Sequence, residues 1–145
     1  MTRTTLVDAN LLLYAADPRS PFYRAAATWL ERVLNGDERV GMPWQTIGAF
    51  FRISTHPRLS ADPLSVEEAA AYVRTWLESE PVWVPPATGR TAAILGQLLL
   101  RHHVTGNLVT DAQLAALAIE HGVEVYSADS DFARFPEVRW RNPLG

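Results

Sequence analysis

The chain has 145 residues, 48% of them hydrophobic, which predicts one compact domain spanning residues 1–145. It has no cysteine, which excludes disulfides, thiolate zinc sites and cysteine nucleophiles and is typical of a cytoplasmic protein. The formal net charge of −3 gives no global attraction to nucleic acid. All 13 residues counted as Lys or Arg are arginine, whose planar guanidinium suits phosphate oxygens. Codon bias is an alternative explanation for this preference.

The N-terminal segment predicts a buried strand followed by a short helix. Apolar residues lead to Asp8, and LLLYAA at 11–16 follows as a helix with Asp8 or Asn10 near its N-cap. These two polar residues interrupt the apolar run that a signal peptide needs. No apolar run approaches the roughly 18 residues of a membrane span. We therefore expect no membrane association.

Helical periodicity dominates the next part of the chain. One helix is predicted from Phe22 to Asn35-Gly36, and a second from Pro43 to Pro57 after a short strand at 40–42. The second helix presents Trp44, Ile47 and Phe51 on one apolar face. Ser65 and Glu68 form a capping box that opens a third helix. Its predicted inner side consists of Ala69, Tyr72, Val73, Trp76 and Leu77.

The C-terminal half alternates short strands with helices. The predicted segments are a strand at 81–86, a helix at 91–102, a loop at 104–109, a helix at 111–122 capped by Thr110, a strand at 123–126 and an edge strand at 138–140. This alternation favours an α/β fold with a central, mostly parallel sheet of short strands flanked by helices.

Three acids fall at predicted strand or helix ends. Asp8 follows the first strand, Asp111 begins a helix, and Asp129 follows the strand at 123–126. The carboxyl ends of parallel strands share one edge of a sheet, so these acids can converge there. A divalent cation would relieve their mutual repulsion, and oxygen donors suit Mg²⁺ or Mn²⁺ better than zinc. The alternative for each acid is a local role in a cap or turn.

Four segments together resemble the PIN-domain ribonucleases, most closely the VapC-type toxins of toxin–antitoxin pairs. They are VDANLLLYAAD at 7–17, PWQTIGAFFRISTHPR at 43–58, GNLVTDAQLAALAIEHG at 106–122 and YSADSDFARFP at 126–136. Their order and spacing match, and the resemblance covers essentially the whole chain. It implies a PIN-like fold and a Mg²⁺-dependent endoribonuclease acting on RNA. It also implies a homodimer that a cognate antitoxin holds inactive.

The resemblance also implies roles for particular residues. Asp8, Asp111 and Asp129 match the acids that hold the catalytic metal in this family. Supporting roles beside these ligands fall to Asn10, Ser127 and Asp131. Residues in or beside the motifs that are candidates for RNA phosphate contacts are Arg52, Arg58 and Arg134; the alternative for each is a solvated arginine.

One departure from the family pattern puts a second metal in doubt. Family members commonly carry a glutamate about where this chain has Gly48-Ala49, and no acid occurs between Met42 and Leu59. A second hypothesis is therefore a weakened PIN-fold module that binds antitoxin or RNA without cutting it. A third is a phosphatase of the haloacid-dehalogenase kind with Asp8 as nucleophile. Those enzymes normally carry an acid where this chain has Asn10.

Other conspicuous side chains are expected to be structural. The four histidines have no metal-ligand spacing, and the tryptophans are expected in the core, because Trp29, Trp44 and Trp76 fall on apolar helix faces. The leucines at 98–100 exceed what one helix face needs, which indicates either core or a buried interface.

Overall fold

Five short parallel strands form the centre of the protein, which a computed structural model describes over residues 4–145. The elements in chain order are β1 (Thr4–Val7), α1 (Ala9–Ala15), α2 (Tyr23–Leu34), β2 (Arg39–Gly41), α3 (Trp44–Ser54), α4 (Val66–Glu78), β3 (Val82–Trp83), α5 (Gly89–His102), α6 (Leu108–His121), β4 (Glu124–Tyr126), a 3-10 helix (Ser130–Arg134) and β5 (Trp140–Arg141). The strand order is β3-β2-β1-β4-β5, and all four neighbouring pairs are parallel. This confirms the predicted α/β class and its parallel sheet.

Side chains on the two faces of the sheet enter two separate cores. Leu6 packs with α5, α6 and the 3-10 helix, whereas its neighbour Val7 packs with α1 to α4. This alternation is the two-residue period of a pleated strand covered on both faces. The sheet is therefore enclosed between two helical layers, and its carboxyl edge is left to carry polar groups.

Local signals in the sequence explain several helix ends. Ser65 accepts a hydrogen bond from the Glu68 N–H, and the Glu68 carboxylate accepts one from the Ser65 N–H, which confirms the predicted capping box. Helix α6 ends at Gly122, whose φ of 67° lies in the left-handed region that glycine favours. None of the helices in the described part of the chain is long and apolar enough to cross a bilayer.

Two helices begin earlier than the sequence predicts. Helix α5 starts at Gly89 rather than Thr91, because Thr88 caps it: the Thr88 hydroxyl accepts from the Arg90 N–H and the Thr91 hydroxyl accepts from the Thr88 N–H. Helix α6 starts at Leu108, so Thr110 lies inside the helix and is not its cap. The loop predicted at 104–109 is correspondingly shorter.

Burial corrects the expected role of two apolar residues. Trp44 is 76% exposed and Leu77 is 40% exposed, so neither lies in the core as predicted. Trp29 and Trp76 are buried as expected. Among the leucines at 98–100, Leu98 is in the core and Leu100 is 78% exposed.

Candidate active site

Two of the predicted acids emerge where the chain reverses its direction across the sheet. Connections from β1 run outward through β2 to β3, and the chain then returns to the other side of β1 to form β4. Asp8 directly follows β1, and Asp129 lies in the loop after β4. The carboxyl ends of adjacent parallel strands at such a switch point form the usual binding crevice of an open α/β sheet.

Asp8 is held by hydrogen bonds from both of these strand ends. Its Oδ1 accepts from the Ala9 N–H at 2.8 Å, which makes Asp8 the N-cap of α1. Its Oδ2 accepts from the Ser127 hydroxyl at 2.7 Å and from the Asn10 amide at 3.4 Å. These hydrogen bonds fix the orientation of the carboxylate. Asp8 therefore both caps α1 and belongs to the candidate site.

Asn10 and Ser127 tie the loop after β4 to the loop after β1. The Asn10 amide donates to the Ser127 hydroxyl at 3.0 Å, and its carbonyl accepts from the Ala128 N–H at 3.2 Å. The Ser127 hydroxyl also accepts from the Asp129 N–H at 3.0 Å. Ser127 is fully buried at the centre of this network, which sets the relative position of Asp8 and Asp129.

Asp129 and Asp131 lie at a short 3-10 helix that two aromatic residues anchor. The Asp129 carboxylate accepts from the Asp131 N–H at 2.9 Å and caps this helix. Phe132 and Phe135 are each 1% exposed and pack into the core shared with α5 and α6. The local cap and turn role that the sequence offers for Asp129 is therefore present, and both phenylalanines anchor this segment in the core.

Asp111 brings a third carboxylate to this loop from the first turn of α6. Oxygens of Asp111, Asp129 and Asp131 all lie within 4.8 Å of one another. Burial, followed by the negative charges of Asp129 and Asp8, raises the pKa of Asp111 to about 7. A carboxyl that resists ionisation beside other carboxylates marks a position where a cation would be strongly stabilised.

Asp8 lies outside this compact group but interacts with it electrostatically. Burial raises the pKa of Asp8, the charge of Asp129 raises it further, and the hydrogen bonds from Ser127 and Ala9 oppose the shift. The compact group of oxygens therefore includes Asp131, and Asp8 lies beside this group at the end of β1.

Helix α3 faces the same sheet edge without contributing a carboxylate. The Thr46 hydroxyl donates to the Val7 carbonyl at 2.7 Å, which fixes the start of α3 to the residue before Asp8. Gly48 is exposed and Ala49 half-buried on this helix. Thr46 was not predicted as a site residue. The sequence feature that could have indicated it is a polar residue on the otherwise apolar helix face of Ile47 and Phe50.

Trp140 is a second supporting residue that the sequence reasoning missed. Its indole N–H donates to the Ser127 carbonyl at 2.9 Å, which links β5 to the hydrogen-bonded loop. No local pattern distinguishes this tryptophan from an ordinary edge-strand residue.

The three candidate arginines are exposed, and their surroundings differ. Arg134 lies 3.7 Å from Asp131, so the acidic loop already partly neutralises it. Among the described residues 4–145, no side-chain ion pair or hydrogen bond engages the guanidinium of Arg52 or Arg58. These two side chains are the more available cations.

Comparisons with known proteins converge on one family. Residues 5–138 match the family described as the PIN domain. The chain is 42% identical over 138 residues to Ribonuclease VapC37 of Mycobacterium tuberculosis, which covers 95% of this chain and 96% of that protein. Two solved structures have the same fold at lower identity. One is VapC20 of Mycobacterium tuberculosis, a sarcin-ricin loop cleaving toxin, at 20% identity and a TM-score of 0.69 over 93% of this chain and 98% of that one. The other is a toxin–antitoxin complex from Klebsiella pneumoniae, at 18% identity and a TM-score of 0.62 over 96% and 97% of the two chains.

Proposed function

The chain belongs to the PIN-domain family, and we propose that it is a metal-dependent endoribonuclease of the VapC type. The observation that carries this proposal is the convergence of carboxylates from three separate segments at the switch point of the sheet. Asp111, Asp129 and Asp131 present oxygens within 4.8 Å of one another, and Asp8 interacts with them electrostatically. Within the described chain, the one ion pair to these four acids is that of Arg134 with Asp131, so most of their charge has no internal counterion.

The donor set fits Mg²⁺ or Mn²⁺. All candidate ligands are carboxylate oxygens, which are the donors that these hard cations prefer. Asp8, Asp111 and Asp129 would hold the ion. A bound ion would polarise an RNA phosphodiester and lower the pKa of an attacking water.

Asp131 can compensate for the glutamate that α3 lacks. Its oxygen lies within the same 4.8 Å group, so it can reach the ion directly or through a water. Arg134 keeps this carboxylate oriented from 3.7 Å. Mg²⁺ normally retains several waters, and so one fewer carboxylate from α3 is compatible with binding.

The remaining residues of the site orient the acids and the substrate. Ser127 and Asn10 hold Asp8 in place through hydrogen bonds that favour its ionised form. Arg52 and Arg58 are the leading candidates for contacts to RNA phosphates, since they are exposed cations without internal partners in the described chain, and Arg134 is a weaker candidate.

Two partners follow from the same family membership. A cognate antitoxin is the expected inhibitor, and the fold shared with a toxin–antitoxin complex supports this assignment. We also propose a homodimer. Both are testable by co-expression with the product of an adjacent small gene and by sedimentation.

The deciding experiment is cleavage of a mixed cellular RNA pool with Mg²⁺, with Mn²⁺ and with chelator. The wild type is compared with Asp8→Asn, and Asp62→Asn serves as a matched control because Asp62 is an exposed acid outside the site. We expect discrete metal-dependent cuts by the wild type and the control, and none by Asp8→Asn.

The absence of an acid in α3 gives the non-cleaving binding module its one specific support. Equal behaviour of wild type and Asp8→Asn with both metals across several RNA pools would establish that alternative in place of the nuclease.

A further inference from the structure

One row of side chains on α3 is unexplained by the fold. Trp44, Gly48 and Arg52 follow one another at four-residue spacing, and all three are exposed. Trp44 is 76% exposed although it is among the largest apolar side chains of the protein. Side chains four apart lie on one helix face, so the three residues form a continuous surface, here called the α3 row.

Nothing among residues 4–145 requires a glycine at position 48. A Cβ built there meets no atom of these residues within 4 Å, so their packing does not exclude a larger residue. Glycine inside a helix is nonetheless less favourable than alanine, because it loses more backbone entropy on folding. A glycine that the fold does not require is typical of a surface that something outside the chain approaches closely.

The α3 row starts beside the acidic site. Thr46, in the same helical turn as Trp44, bonds to the carbonyl of Val7, and Val7 precedes Asp8. Covalent and helical geometry then place the Cα atoms of Trp44 and Asp8 within roughly 15 Å. A few nucleotides of single strand span this separation, so RNA bound at the acids can reach Trp44.

The composition of the α3 row fits a single strand of nucleic acid better than a protein surface. The ring of Trp44 can stack on a base, and the cation of Arg52 can contact a phosphate. Gly48 leaves open space between them. A stable interface between proteins needs about 800 Å² on each partner and a largely apolar centre. Three residues with a glycine and an unpaired arginine do not provide it.

We infer that Trp44 stacks on an unpaired base of the substrate while Arg52 contacts a phosphate of the same strand, with Gly48 leaving room between them. This inference rests on the proposed ribonuclease function and specifies which part of the substrate the protein grips. Trp44 touches RNA away from the scissile bond, so it governs affinity and choice of site rather than the chemical step.

The test compares Trp44→Ala, Trp44→Phe and Gly48→Gln with Val66→Ala, which truncates an apolar residue of similar exposure at the start of α4. These exposed positions leave the core intact, and Gly48→Gln should raise Tm. Base stacking on an aromatic side chain predicts roughly a 5- to 150-fold rise in KM for Trp44→Ala, with kcat nearly unchanged. Trp44→Phe should keep most of the affinity, Gly48→Gln should lose part of it, and Val66→Ala should match the wild type.

The inference and the proposed function fail on different outcomes. Wild-type KM and cut sites in Trp44→Ala would overturn it while leaving the nuclease intact. A change in the sedimenting mass of Trp44→Ala would assign Trp44 to an interface between copies of the chain and also overturn it. If the wild type cuts no RNA, the proposed function fails separately. Fluorescence anisotropy of a labelled oligoribonucleotide then decides: weaker binding by Trp44→Ala supports stacking, and equal binding refutes it.

Discussion

Replacing Asp111 by asparagine should stabilise the metal-free protein at alkaline pH. Burial and the charges of Asp129 and Asp8 raise the pKa of Asp111 to about 7 from the ordinary 3.8. The folded state therefore binds more protons than the unfolded state between these two values, so the free energy of unfolding falls as pH rises from about 4 to about 7. Asp111→Asn removes the titrating carboxyl, so the free energy of unfolding of the variant does not show this decrease.

The size of the effect follows from the shift. About three pKa units correspond to roughly 4 kcal/mol at 1.36 kcal/mol per unit. Asp111 is only half-buried, so solvent screening reduces this figure, and we expect about 2 kcal/mol. The gain should be complete at pH 8 and nearly absent near pH 3, where wild-type Asp111 is protonated in both the folded and the unfolded state.

Urea denaturation in chelator at both pH values measures this difference. Asp62→Asn removes an exposed acid outside the site and is the matched control, which should show little change at either pH. Adding Mg²⁺ at pH 8 should make the wild type more stable than Asp111→Asn. An ion that binds only the folded state raises its stability, and the variant lacks one of the carboxylates that would hold the ion. A variant that equals the wild type at pH 8 in chelator, or that gains as much near pH 3, would refute the electrostatic reasoning.

Three further substitutions test the supports of the site. Ser127→Ala removes a buried hydroxyl that contacts Asp8, Asn10 and the Asp129 N–H, so urea titration should show a loss of about 1–3 kcal/mol and cleavage should fall. Phe132→Ala empties a fully buried ring position and should lower stability by about 3–5 kcal/mol; a loss below 1 kcal/mol would contradict its anchoring role. Ser65→Ala removes the cap of α4 and should lower stability by about 1 kcal/mol with cleavage of RNA unchanged, so reduced kcat would show an unexpected coupling to the site.

Local chemistry made much of the fold predictable. The Ser65 capping box and the glycine at the end of α6 are short-range signals, because each depends on backbone groups within a few residues. The alternation of strands and helices predicted parallel pairing, and parallel pairing predicted a shared carboxyl edge for Asp8 and Asp129. These inferences use only local backbone chemistry and the order of the elements, and no distance between remote residues.

Features that depend on distances between remote residues could not be predicted. Helical periodicity assigns Trp44 to a face, but only the tertiary arrangement decides which residues of that face are covered, and Trp44 at the start of α3 is left exposed. The same limit applies to the acids. Sequence spacing does not show that Asp131 joins Asp111 and Asp129 in one compact group.

The ends of the sheet protect the protein against aggregation. An exposed edge strand offers unpaired backbone groups to another chain, and long flat edges promote fibril formation. Here the outermost strands β3 and β5 have two residues each. Pro81 and Pro85 flank β3, and Pro143 follows β5 closely, so these positions cannot donate a backbone N–H to an added strand. Each edge therefore offers only a few residues for pairing, and partial unfolding that lengthens either edge would expose this protein to amyloid-like pairing.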